Sequence, residues 1–243
     1  MSQQVNVQRS LKFTGDAANK ANVKGSMSAL RYTSVDWFDQ TALDTTNDYT
    51  ATLGGTGDAV ALSAAGATGI TMTSGTTDNE VSFLGTALIF DISNNPEIET
   101  RVTITDVSGT SFFFGFSDAN TESTPASTID YADGTLAAAA TDAVGFVVDA
   151  DKSSSLMYAA SIATGGSVAG ASTGITWTDG LTKTLRIRLN TEGDAFFFVD
   201  GVCTNIVQSA VTDVPLCAVF NWGTRDNDGS NTVIAKYLKK WQD

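Results

Sequence analysis

The stretch Leu185-Arg186-Ile187-Arg188-Leu189-Asn190 alternates apolar and polar side chains without a break. In an extended chain this puts the leucines and the isoleucine on one face and the arginines on the other, which is a strand with one dry side and one wet side. Short β-branched or aromatic runs of this kind recur along the chain, separated by clusters of Gly, Ser, Thr, Asn and Asp. They predict strands at 59–62, 70–73, 80–84, 87–92, 98–106, 111–117, 143–149, 156–162, 184–190, 195–200, 216–222 and 232–238. No segment holds a helical period for more than about two turns, and the most helix-prone one, Leu136-Ala137-Ala138-Ala139-Ala140, reads as a loop. A chain built this way must bury its dry faces by stacking sheets.

The turns support antiparallel pairing. Asp200-Gly201 between Val199 and Val202 is a two-residue hairpin signal, and Gly193 offers a positive φ between the runs on either side of it. Phe112-Phe113-Phe114-Gly115-Phe116 and Phe196-Phe197-Phe198-Val199 are apolar on both faces, which predicts strands covered on both sides. Stretches rich in Gly, Ala, Ser and Thr at 51–77 and 163–176 read as flat loops or weak edge strands. Taken as a whole, residues 1–45 carry no sustained period and read as an extended N-terminal arm, with the sandwich occupying 46–243.

Charge divides along the same line. Residues 1–31 hold Arg9, Lys12, Lys20, Lys24 and Arg31 against Asp16 alone, a net of +4 that leaves −17 for the rest of a chain whose formal charge is −13. A basic arm ahead of an acidic body suits docking on an acidic neighbour, with a solvated, disordered terminus as the alternative, and the acidic body argues against nucleic acid as a partner. A hydrophobic content of 42% is enough for a core, and no run is long and apolar enough to predict a membrane span or a secretory leader.

The chemistry-bearing residues are sparse. There is no histidine, which removes Ser-His and Cys-His pairs and histidine-rich zinc sites. Cys203 and Cys217 lie in apolar surroundings and read as small buried hydrophobes, with a disulfide between them as the alternative. The five glutamates nowhere form the Glu-x-Asp-x-x-Glu strand of sandwich glycosidases, so the chain reads as no enzyme, with no catalytic residues and no cofactor. Asp226 and Asp228, in Asp226-Asn227-Asp228-Gly229-Ser230-Asn231, offer oxygens of the kind calcium takes, although such loops are more often plain turns. Trp37, Trp177, Trp222 and Trp241 offer rings for core, interface or sugar stacking.

Several segments resemble tailed-bacteriophage virion proteins with a concanavalin A-like, laminin-G-like jelly roll. These are Thr100-Arg101-Val102-Thr103-Ile104-Thr105-Asp106-Val107-Ser108, Phe113-Phe114-Gly115-Phe116-Ser117-Asp118-Ala119 and Asp142-Ala143-Val144-Gly145-Phe146-Val147-Val148-Asp149-Ala150-Asp151. Leu185-Arg186-Ile187-Arg188-Leu189 and Phe197-Phe198-Val199-Asp200-Gly201-Val202 follow in the same order. The resemblance implies an antiparallel two-sheet jelly-roll sandwich. It also implies a capsid decoration protein, a homotrimer made in the host cytoplasm and fixed to the major capsid protein on the virion exterior. The alternative it implies is a carbohydrate- or receptor-binding module of a tail fibre or spike.

Overall fold

The computed structural model describes residues 32–39, 42–63, 69–120, 127–153, 155–225 and 231–243. They form seventeen strands: β1 (Tyr32–Asp36), β2 (Tyr49–Thr52), β3 (Ala59–Leu62), β4 (Ile70–Thr73), β5 (Val81–Thr86), β6 (Glu97–Ile104), β7 (Thr110–Ser117), β8 (Ile129–Ala132), β9 (Thr135–Ala138), β10 (Ala143–Asp149), β11 (Leu156–Ile162), β12 (Ala169–Thr176), β13 (Thr182–Leu189), β14 (Ala195–Val199), β15 (Val202–Val207), β16 (Cys217–Thr224) and β17 (Thr232–Gln242). One sheet runs β15-β14-β13-β6-β17-β4-β3, with β1 also pairing β17; the other runs β12-β11-β10-β7-β16-β5-β2. All pairing in both is antiparallel, and the fold is the expected jelly-roll sandwich.

The dry faces meet as the alternation requires. Leu185, Ile187 and Leu189 of β13 and Ile98, Val102 and Ile104 of β6 face Phe112, Phe114 and Phe116 of β7 and Val144, Phe146 and Val148 of β10 in one buried cluster. Each fully buried side chain of this size contributes about 1.5–3 kcal/mol. A one-residue slip of β13 would turn its leucines to water and its arginines inward, so burial fixes the register.

The seven-stranded sheet is buried on its second face too. Hairpin β8–β9 lies over it, and Ile129 and Tyr131 join Phe83, Phe113, Val147, Tyr158 and Val219 in a separate buried cluster. That explains why the Phe112–Phe116 run is apolar on both sides. The hairpin closes at Asp133-Gly134, both at positive φ, as does the expected Asp200-Gly201 turn between β14 and β15.

Four expectations need correction. Residues 87–92 make only an isolated bridge at Phe90 and then turn at Ile92–Asn94, because Asp91 caps a short 3-10 turn there. Leu136, Ala137 and Ala138 lie in β9 and not in a loop, since the Asp-Gly turn pairs them with Tyr131, Asp130 and Ile129. Phe196 and Phe198 are only half-buried on the outside of β14, where Arg188 and Arg186 stack over their rings at 4.6 and 4.0 Å in place of a covering layer. Strand structure is also already present at Tyr32–Asp36, ahead of residue 46, where β1 pairs the half of β17 beyond its bulge.

Candidate functional site

The outer face of the seven-stranded sheet ends in a cluster of opposite charges. Arg225 follows β16, and its guanidinium reaches across β7 to β10 and to the hairpin, leaving its side chain 3% exposed. Its Nη2 donates to Asp149 Oδ2 and to Asp130 Oδ2, each at 2.8 Å, and its Nε donates to Asp149 Oδ1 at 3.0 Å. Its Nη1 donates to Asn79 Oδ1 at 2.5 Å. Asp151 completes the ring, with Oδ2 3.8 Å from Nε. Three carboxylates therefore surround one guanidinium.

The carboxylates differ in what they can still do. Asp149 is 0% exposed and also accepts from Ser111 Oγ and from the backbone N–H groups of Tyr131 and Asp151, so its lone pairs are spent on holding β7, β8 and β10 together. Asp130 is 15% exposed and opens onto a cleft. Its oxygen and that of Asp149 lie no more than twice the 2.8 Å bond length apart, because they share one nitrogen.

Electrostatics separate the same two roles. Burial disfavours the Asp130 carboxylate and pushes its pKa up; the hydrogen bond and charge of Arg225 oppose that shift, and the charges of Asp149 and Asp151 add to it. Burial works against the charge on Arg225 as well, but the hydrogen bonds and charges of Asp149 and Asp130 outweigh it and leave its pKa raised.

Because the folded pKa of Asp130 lies above its unfolded value, protonation favours the fold. That contribution is complete below the unfolded pKa and is lost as pH rises through the folded one. In a carbon-detected NMR titration, Asp130 is expected to take up its proton at a higher pH than exposed Asp44, whose carboxyl is held low by hydrogen bonds from Asn47 and Thr46. Co-titration of the two would contradict this description of the cleft.

The cleft has a volume of about 410 Å3. Asn79, Asp130, Asp133 and Arg225 supply its polar groups, while Val81, Ala132 and Ala137–Ala139 supply an apolar wall. Asp133 stands exposed on the hairpin turn, positioned by a bond from its N–H to Asp151 Oδ2 at 3.2 Å. Small side chains on β9 leave the space open, so a flat ligand can lie against the wall while its edges meet the carboxylates.

The residues singled out from sequence fall elsewhere. Arg9, Lys12, Lys20, Lys24 and Arg31 lie outside the described residues, as do Asp226 and Asp228. Trp177 and Trp222 are fully buried, with Nε1 donating to Leu181 O at 2.8 Å and Thr73 O at 3.0 Å, and are core residues unable to stack on sugar. Trp37 is 44% exposed and meets Tyr237 edge-on at 5.3 Å. Cys217 is buried, but Cys203 is exposed on edge strand β15 and no disulfide joins them.

No family model matches the chain, and none of the curated proteins is similar to it. Solved structures do share its fold. A glycoside hydrolase family 16 endo-glucanase from Bacteroides ovatus is 11% identical, with a TM-score of 0.57 over 85% of this chain and 98% of that one. A sialidase, 12% identical with a TM-score of 0.57, matches 84% of this chain but only 18% of its own length. A protein of unknown function from Shewanella oneidensis MR-1 is 12% identical, with a TM-score of 0.51 over 92% of this chain and 94% of that one. At such identities the likeness establishes the fold, a concanavalin A-like jelly roll that carbohydrate-active proteins share. It also corrects the exclusion of enzymes made from sequence. The same architecture carries an endo-glucanase, so lacking histidine and one motif does not place a chain outside catalysis.

Proposed function

We propose that this chain recognises carbohydrate and seats a sugar ring in the cleft between hairpin β8–β9 and the Asn79 turn. The observation that carries the reading is the pairing of rigid polar groups with an apolar wall. Arg225 locks Asp130 and Asn79 in place, Asp133 faces them from the hairpin turn, and the alanines of β9 form the floor. A pyranose presents hydroxyl groups at its edge and C–H groups on its face, which is the complement of such a cleft. The carbohydrate-active proteins among the solved structures of this fold support the same class of ligand. Asp130, with its raised pKa, also has the property a general acid needs, so cleavage belongs in the test alongside binding.

The test is a glycan array run beside an assay for new reducing ends on polysaccharides. Binding or cleavage of a defined set of glycans is expected, reduced at least about tenfold in Asp133→Ala and Asp130→Asn. Absence of both activities at millimolar glycan, or full retention of both in the two variants, would overturn the reading.

A second reading is favoured by the division of charge, +4 over residues 1–31 against −17 over the rest. It puts the sandwich on the outer capsid of a tailed bacteriophage as a homotrimer, with the basic segment bound to the major capsid protein. The virion-like pattern in β6, β7, β10, β13 and β14 supports it. Antibody-gold labelling of virions is then expected to decorate heads regularly; labelling confined to tails, or none, would contradict it.

A further inference from the structure

The cleft under hairpin β8–β9 is one-sided in charge. Asp130, Asp133, Asp149 and Asp151 stand against Arg225 alone, a formal charge of −3. The guanidinium is 3% exposed and is committed to Asp149, Asp130 and Asn79. Lys152, next to Asp151 in the chain, lies over the Tyr131 ring, 5.4 Å from its centroid, and does not line the cleft. Among the described residues, the walls therefore offer a ligand no free cation.

The acceptors, by contrast, are open. Among the described residues, neither carboxylate oxygen of Asp133 accepts a hydrogen bond, and Asp130 accepts only through Oδ2, which leaves its Oδ1. Asp130 is 15% exposed and Asp133 stands out on the hairpin turn. A sugar hydroxyl gives such oxygens one hydrogen bond, whereas an ammonium gives three, and its charge strengthens each of them. A ligand carboxylate or sulfate would meet like charge instead.

Resting on the sugar reading of this cleft, we propose that its ligands are amino sugars with a free, protonated amine, the ammonium held between Asp130 and Asp133 while the ring lies on Ala137–Ala139. Acetylation of the amine removes the charge and a uronic acid reverses it, so both classes are selected against. The charges of Asp149 and Asp151, which help to push the Asp130 pKa up, add to the pull on the ammonium.

NMR titration of the full-length protein with glucosamine, N-acetylglucosamine and glucose, and with the matching galactose series, tests this in buffer that keeps the amine protonated. Each amine is expected to bind at least about tenfold tighter than its acetylated and hydroxyl counterparts, with shifts at Asn79, 130–133 and 137–139. The gap should narrow as salt is raised. Bound amine should also lower the pH at which Asp130 takes up its proton, which a neutral sugar would not do. Asp133→Asn removes a charge and keeps the shape, and asparagine tolerates the φ of 49° at this turn, so the variant keeps its fold and should close the gap. Neutral sugars that shift the cleft as strongly as the amines would overturn the inference and leave the carbohydrate reading standing. Amine-induced shifts spread over exposed Asp91 and Asp200, or no shifts with either amine, would overturn it as well, and the glycan array then decides the broader reading alone.

Discussion

Replacing Arg225 with methionine is expected to lower the unfolding free energy by about 3–5 kcal/mol, because it strands buried carboxylates without a partner. Asp149 is fully buried and takes two bonds from the guanidinium, and Asp130 takes another. Lysine should rescue little, since one ammonium cannot reach Asp149, Asp130 and Asn79 together as Nε, Nη1 and Nη2 do. Adding Asp149→Asn to the methionine variant should recover part of the loss, which a double-mutant cycle by urea denaturation reads directly. The deficit should also shrink in mildly acidic solution. Without the guanidinium the folded pKa of Asp130 rises further above its unfolded value, and a group shifted that way contributes stability that is lost as pH rises. A loss below about 1 kcal/mol would mean that Arg225 is solvated and that the cluster does not hold β7, β8 and β10 together.

Gly115→Ala is expected to cost about 3 kcal/mol, at the upper end for a single added methyl. Gly115 lies opposite Gly145 of β10 and Val219 of β16, in the middle of the seven-stranded sheet. A Cβ there would fall well inside contact distance of the Val144 carbonyl and the Gly145 Cα, which are backbone atoms that cannot rotate away. Relief would require β7 and β10 to part, loosening both the main core and the cluster under the hairpin. Thermal unfolding followed by near-ultraviolet circular dichroism measures the effect. An unchanged midpoint would show that the strand pair has slack that the packing of Phe112–Phe116 does not suggest.

The sandwich was legible because its signals are local. Alternation at Leu185–Leu189 and the Asp200-Gly201 turn each state a strand or a hairpin within a few residues, and burial of one face leaves a single register. The hairpin that shapes the cleft carried the same kind of signal at Asp133-Gly134, but the run of alanines after it hides a strand, since alanine favours neither sheet nor turn. The covering of Phe196 and Phe198 is not legible for a related reason. An arginine stem and guanidinium can cover a ring as a second layer would, and sequence alone does not show which neighbour does so.

The charged cluster was not legible in the same way. Asn79, Asp130 and Asp149 lie 146, 95 and 76 residues from Arg225, and they meet only because β16, β7 and β10 are adjacent and hairpin β8–β9 folds across them. The one local hint was Arg225 itself, a lone cation closing a strand whose other side chains are uncharged.

The most direct test of sugar recognition in the cleft is backbone NMR on the labelled protein titrated with an oligosaccharide drawn from the array. Shifts are expected at Asn79, across residues 130–133, at 137–139 and at Arg225, saturating together and vanishing in Asp133→Ala. Shifts confined to another surface, such as the Arg186–Phe198 stack on the opposite sheet, or no shifts with any glycan, would contradict the account.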